Sequence, residues 1–394
     1  MNTSVSASTT YNSSHQAVHT SSACEFTTFE FVGYFYILTI VCLIGCIFNL
    51  INIIVFAQKC FRATVYTYML AISLTDAIAL LVNLPTGLGR CAGHLESCNH
   101  PAFKRFRFHV SYFTAYIRFG VANTAEAASA WLTVLVSVER YMAMKFPMLA
   151  LTYCRQGSGK MHVFIIILLA LAFNSPLFFI LRISQKNVTS ENGETRTVLG
   201  SRLTAFGEST DYDVYTWFRF VLVQIIPLIA LCIFSTLLIN VVSESYRKPR
   251  RNEAASAVTG HKKTQELMEV TNARKTGNHS KHQRATKQIQ LDRRQWAQTK
   301  LTIMQICVIF LFLIGQIPQA FSFEKISNAI MPPWCGRCCK LKIYYRMCSM
   351  ILSQISYSLS FFIYLSLNRY FRKTLLTCCR NKPVEQCTRA SRVA

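Results

Sequence analysis

Charge is scarce and one-sided in this 394-residue chain: 15% of residues are charged, and Asp and Glu number 18 against 42 Lys and Arg. A soluble domain needs a polar shell, and a chain that is 52% hydrophobic with so little charge does not supply one. Glycine and proline are few, 15 and 10, which excludes collagen-like and low-complexity chains, while 28 Phe and 17 Tyr exclude disorder throughout. The acid shortage leaves a net charge of +24. Those bases avoid the apolar runs and crowd particular loops, a pattern that suits solvation and attraction to anionic lipid better than nucleic-acid binding. Internal repeats, a phosphate-cradling glycine loop, a metal-protease motif and a nucleophile elbow are all missing, so no motif argues for an enzyme.

What is there is a set of seven runs long enough to cross a ~30 Å hydrocarbon core, which takes roughly 20 helical residues. They cover approximately 34–57, 65–89, 110–139, 161–181, 215–242, 301–324 and 343–367. Unpaired backbone amides are costly in lipid, so each run is expected to be a helix. Arg118, Glu126, Glu139 and Arg346 dilute the third and seventh.

With residues 1–33 outside, the external segments carry 12 Lys and Arg and the internal ones 27, so the positive-inside rule puts the N-terminus outside. The glycosylation sequons at Asn2, Asn12 and Asn187 then fall outside, and the one at Asn278 inside. No cleavable signal peptide is visible, and the first run reads as a signal anchor. Six of the 16 cysteines fall outside: Cys24, Cys91, Cys98, Cys335, Cys338 and Cys339. Cys91, His94, Cys98 and His100 have the residue types of a zinc site, but an oxidising compartment favours a disulfide, with Cys91 and Cys98 as the candidate pair. Cys378 and Cys379, after a basic stretch, suit palmitoylation, with unmodified thiols as the equal alternative.

The motifs narrow the class. Glu139-Arg140-Tyr141 ends the third run ahead of Phe146-Pro147, Asn49 lies in the first, and Leu70 to Asp76 reads LAISLTD in the second. Pro227 marks the fifth run, Pro318 the sixth, and Ser360 to Tyr364 reads SFFIY in the seventh, followed by Phe371. This series resembles the rhodopsin-like (class A) G-protein-coupled receptors. The Gln316-x-Pro318 turn, the xFFxY ending and Tyr66-Thr67-Tyr68 resemble the invertebrate receptors for FMRFamide-like and myosuppressin-like neuropeptides.

The resemblance implies an all-α membrane protein, a seven-transmembrane helix bundle with a short amphipathic eighth helix. It divides the chain into an extracellular tail (1–33), the transmembrane domain (34–367) with a cytoplasmic basic loop (243–300), and the amphipathic helix with a cytoplasmic tail (368–394). Within that loop Ile289, Leu291 and Trp296 can continue the sixth helix. It implies that Glu139 holds Arg140 at rest, that Arg140 meets a G-protein α subunit when released, and that Tyr141, Tyr364, Pro318 and Gln316 belong to the same switch. It implies a hydrated cluster of Asn49, Asp76, Ser129 and Ser360, which in many relatives binds sodium; Ser360 in place of the usual Asn puts sodium at Asp76 in doubt, and no other cofactor or metal is expected. The implied partners are an extracellular peptide, a heterotrimeric G protein, an arrestin and membrane lipid, at the plasma membrane.

Departures from the pattern matter as much. Ala122 replaces the acid of amine receptors, Gln354 the lysine of opsins, Gln316 the usual Trp switch and Ala115 the usual disulfide cysteine. Gln298 stands near the acid that often completes the Arg140 lock. Glu126 lies 14 residues before Arg140, about 3.9 turns up nearly the same face, and Arg118 and Arg219 are two further intramembrane charges. Two readings stay open: Glu126 receives a cationic group of the peptide, or it pairs internally with Arg118 or Arg219. A non-peptide small ligand, and beyond it a transporter, a channel or a non-signalling scavenger, are the alternatives to a neuropeptide receptor.

Overall fold

The computed structural model describes residues 27–61, 63–90, 98, 100–153, 158–189, 195–263, 278–330 and 339–379. Among them seven helices are long and apolar enough to cross a membrane: Thr28–Phe56, Thr64–Gly89, Pro101–Lys145, Ser158–Phe178, Thr210–Ser245, Trp296–Phe321 and Lys340–Leu367. Every expected run is a span, and the differences lie at the ends. The first begins inside the stretch assigned to the tail, because Thr27 and Glu30 form a capping box: the Glu30 amide donates to Thr27 Oγ1, and the Thr27 amide donates to the Glu30 carboxylate at 3.0 Å. The third begins at Pro101, where the His100 ring accepts the Ala102 amide and proline occupies the first turn. At 45 residues it is roughly 67 Å long, about twice the hydrocarbon thickness, so a helical stalk rises beyond the bilayer.

The segment 243–300 is not a plain loop. The helix of the fifth span runs on to Lys263 and that of the sixth begins at Asn278, so both extend past the membrane. Between the fourth and fifth spans, Leu181–Thr189 pairs antiparallel with Thr195–Leu203, with Leu181 opposite Leu203, and makes a hairpin over the end of the bundle that holds Thr28.

Helix faces sort by solvent. In the first span Ile40, Leu43, Ile47, Leu50 and Ile54 are exposed at three- and four-residue spacing, the face for lipid, while Cys42, Gly45, Asn49 and Asn52 are buried. Gly45 lies where a Cβ would come within 2.1 Å of Ser358 Oγ, and Gly315 where one would meet Ser356 Oγ at 2.3 Å. Small residues thus let the seventh span wedge closely between the first and sixth. The eighth helix, Arg369–Cys379, is capped by Asn368, whose side-chain oxygen accepts the amides of Tyr370 and Phe371. Phe371 is buried against the rings of Phe56 and Tyr364 and ties this helix to the bundle.

Three short π-helical stretches, Val32–Leu38, Thr114–Arg118 and Phe220–Ile225, interrupt the first, third and fifth spans toward the Thr28 end. Each widens the helix by a fraction of a turn and re-aims what it carries, Arg118 and Gln224 among them.

Candidate ligand pocket and activation centre

The intramembrane charges come together, though not as ion pairs. Arg118 donates through Nε and Nη2 to the Asn83 side-chain oxygen at 3.0 and 2.7 Å. Arg219 is buried, donates through Nε to Asn174 Oδ1 at 3.0 Å and through Nη2 to Asn123 Oδ1, and lies over the Phe323 ring. Both guanidiniums are therefore held by neutral carboxamides. Glu126 stands between them with Gln354 beside it, within electrostatic reach of both and outside the 4 Å of a direct ion pair with either. The internal salt bridge expected as one alternative for Glu126 is not formed.

Glu126 and Arg219 line a cavity with Gln224, Gln316, Gln319 and Phe323. Its volume is about 10 Å³, room for roughly one water molecule.

From the wall of the cavity a hydrogen-bonded chain crosses three spans. Gln224, carried by the π-helical stretch of the fifth, donates to the Gln316 carbonyl at 3.1 Å. Gln316 donates to Tyr357 OH at 2.7 Å and to Ser353 Oγ at 3.0 Å. The Gln316 side chain thus joins the sixth span to the seventh through polar contacts. The Tyr357 carbonyl in turn accepts from Asn49 Nδ2 at 3.2 Å and from Ser360 Oγ at 3.3 Å.

The expected cluster of four is therefore split. Ser129 donates to Asp76 at 2.6 Å, whereas Asn49 and Ser360 converge on Tyr357. Ser360 Oγ is spent on the Tyr357 carbonyl, while Asn49 Oδ1 is buried without a hydrogen-bond partner.

At the opposite end, Arg140 and Glu139 are both buried and lie 3.3 Å apart. Arg140 Nη1 also donates to Gln298 Oε1 of the sixth span at 3.0 Å. Glu139 Oε2 and Arg140 Nε are buried without a hydrogen-bond partner, so the lock is only half satisfied. Tyr141 packs edge-on against Phe146 and Phe234, and Tyr364 is buried. Pro318 sits inside the sixth helix, its carbonyl accepting from Tyr345 OH at 2.9 Å.

The family profile of the serpentine type 7TM GPCR chemoreceptor Srw matches residues 35–382. The chain belongs to the Srw family. It is also similar to a probable G-protein coupled receptor of Caenorhabditis elegans, 23% identical over 212 residues, 52% of this chain and 45% of that one. The FMRFamide receptor of Drosophila melanogaster is 24% identical over 221 residues, 55% of this chain and 38% of that one. The chain thus spans less than half the length of these curated relatives. Membership of the Srw family makes it a multi-pass protein of the plasma membrane from a family of receptors, not of enzymes, and the resemblance to FMRFamide receptors read from the motifs holds.

In this Srw-family chain Cys98 and Cys339 are both disulfide-bonded. Cys98 packs against Phe31, Phe35 and Phe103 at the Thr28 end. Cys91, Asn2 and Asn12 lie outside the described residues. Asn187 falls on the hairpin's first strand, and Cys378 and Cys379 end the eighth helix. Sequence reasoning passed over Asn83, Asn123, Asn174, Gln224, Ser353 and Tyr357. Their signal was present: polar side chains inside apolar spans, expensive unless partnered.

Proposed function

We propose that this chain is a receptor with its N-terminus outside, which couples an extracellular amidated peptide to a heterotrimeric G protein, and afterwards an arrestin, at the Arg140 end. Two disulfide-bonded cysteines near Thr28 support that orientation, since disulfides persist in an oxidising compartment. The observation that carries the signalling role is Arg140, buried and held jointly by Glu139 and Gln298. Freed when the sixth span swings away, it offers a guanidinium to a partner at that face. The peptide reading rests on the relative named for FMRFamide and on Glu126, whose carboxylate is not directly paired. In this reading the cationic residue of the peptide reaches Glu126 as the cavity opens, and the Gln316–Tyr357 chain rearranges.

A second reading has its own support. The family is described as chemoreceptors, and a site with two arginines and one glutamate would also hold a small acidic chemical. A panel of amidated peptides and of small carboxylic acids, read by calcium and cAMP in cells expressing the full chain, separates the two. The expected result is a response to Arg-containing amidated peptides that disappears in Arg140→Ala at equal surface expression while labelled peptide still binds. A response to small acids alone would overturn the peptide reading, and undiminished signalling in Arg140→Ala would overturn the coupling role.

A further inference from the structure

Three glutamines form a stripe along the sixth helix. Gln298, Gln305 and Gln316 are spaced by 7 and 11 residues, close to whole turns at about 3.6 residues each, so they share one face. Gln298 accepts from Arg140 of the third span, and Gln316 donates to Ser353 and Tyr357 of the seventh. Gln305, between them, is 1% exposed, and neither its nitrogen nor its oxygen has a hydrogen-bond partner. A buried amide left this way has lost its water and gained nothing in return, which destabilises the arrangement at that point.

The fifth span carries a second such group at the same depth. Gln224 and Gln316 are joined by a hydrogen bond at 3.1 Å, and the two spans run antiparallel. Counting 11 residues from each toward the Arg140 end gives Ser235 on the fifth span and Gln305 on the sixth. Eleven residues make about three turns and roughly 16 Å, so Ser235 and Gln305 stand level with each other on the faces that carry the bonded pair. Leu231 and Leu238, which flank Ser235 on its face, are fully buried in one cluster with Ile309, a turn from Gln305. Ser235 is 4% exposed, and its hydroxyl has no partner. Thr133, Ser137 and Thr236 return their hydroxyls to the carbonyl four residues back, the usual resort inside a helix, and Ser235 does not.

We propose that Ser235 and Gln305 are two halves of a hydrogen bond that is open in this arrangement and closes when the sixth span moves against the fifth, holding the signalling arrangement. This deepens the coupling reading above and rests on it. The stripe exchanges one contact for another: as Gln298 releases Arg140, Gln305 engages Ser235. Two groups orphaned at rest are satisfied by the move, so the moved state gains relative to the resting one.

The test uses the full chain and needs no ligand. In the resting receptor Gln305→Leu, which replaces an orphaned amide by an apolar side chain of similar size, should raise the melting temperature in detergent. Basal nucleotide exchange is then measured in the Gln298→Leu background, where the sixth span is released, on cell membranes supplied with heterotrimers of each α class. Gln305→Leu and Ser235→Ala should each lower exchange about fivefold, the worth of one neutral hydrogen bond. The double variant should lose no more than either alone, and Ser235→Thr, which keeps the hydroxyl, should lose less than about twofold. A lowered melting temperature in Gln305→Leu means that the amide already has a partner at rest and overturns the proposal. Losses that multiply in the double variant, or no loss in either single one, overturn it as well. If Gln305→Leu raises the melting temperature while Gln298→Leu exchanges nucleotide with no heterotrimer, the open pair is supported and the coupling reading falls instead.

Discussion

Arg140 in the third span donates to Gln298 in the sixth at 3.0 Å, so a neutral amide fastens these two spans where an acid could stand. A hydrogen bond from a charged donor is worth roughly 1.5 to 3 kcal/mol, and one between two ionised groups is stronger still. Gln298→Glu should therefore lower agonist-independent signalling by about five- to tenfold, and Gln298→Leu should raise it by a similar factor. Basal nucleotide exchange at matched surface density measures both. If the two variants leave it unchanged, the contact does not hold the resting arrangement.

Gln316 makes the corresponding link nearer the pocket. Its amide supplies a partner to Tyr357 OH and Ser353 Oγ, and Gln316→Leu would leave that buried phenol without one of its bonds. The cost of an orphaned buried polar group is about 1 to 3 kcal/mol. The variant should lose thermal stability in detergent and respond to agonist with lower maximal signal, while Ser353→Ala, which removes the weaker of the two contacts, should do less. Equal effects of the two substitutions would mean that Tyr357 is not the important partner.

Much of this arrangement was legible beforehand, and the reasons it was not all legible are physical. Lipid imposes length and apolarity on a span, so seven runs could be counted. The capping box at Thr27 and the proline at 101 are also local signals, but both sit outside the apolar runs, and counting hydropathy passes over them. Arg140, Glu139 and Gln298 were placed by motif. The partners of Arg118 and Arg219 were not, because Asn83, Asn123 and Asn174 reach them across 35, 96 and 45 residues of sequence. Only the helix packing decides whether an intramembrane arginine meets a carboxylate or a carboxamide. The hairpin was missed because its two strands hold few alternating apolar residues, and its register brings two arginines face to face.

Cys98 is in a disulfide, and the first loop at the Thr28 end offers Cys91 seven residues before it. A small ring closed by that pair stabilises by roughly 2 to 3 kcal/mol. Mass spectrometry of non-reduced peptides should find Cys91 crosslinked to Cys98, and Cys91→Ser should reduce surface expression. A crosslink from Cys98 to Cys24 or to the Cys335 cluster would reject this connectivity.

The most exposed of these expectations concerns Glu126. Its carboxylate has Arg118 and Arg219 nearby, yet each arginine is committed to asparagine oxygens, so the acid keeps lone pairs for an incoming fork. In a partly dehydrated site a guanidinium bound bidentately gains more than at a surface, because less water competes. Two resident arginines also repel that guanidinium, so the gain depends on a direct contact and not on the field of the site. Glu126→Gln should weaken an Arg-containing agonist by roughly 1.5 to 3 kcal/mol, on the order of 10- to 100-fold. Citrulline in place of the peptide arginine should cost the parent receptor a similar factor and cost the variant much less, since the partner is already gone. If the two losses simply add, Glu126 does not contact the arginine. The acid then serves to balance Arg118 and Arg219, and Glu126→Gln should in that case destabilise the unliganded receptor as well.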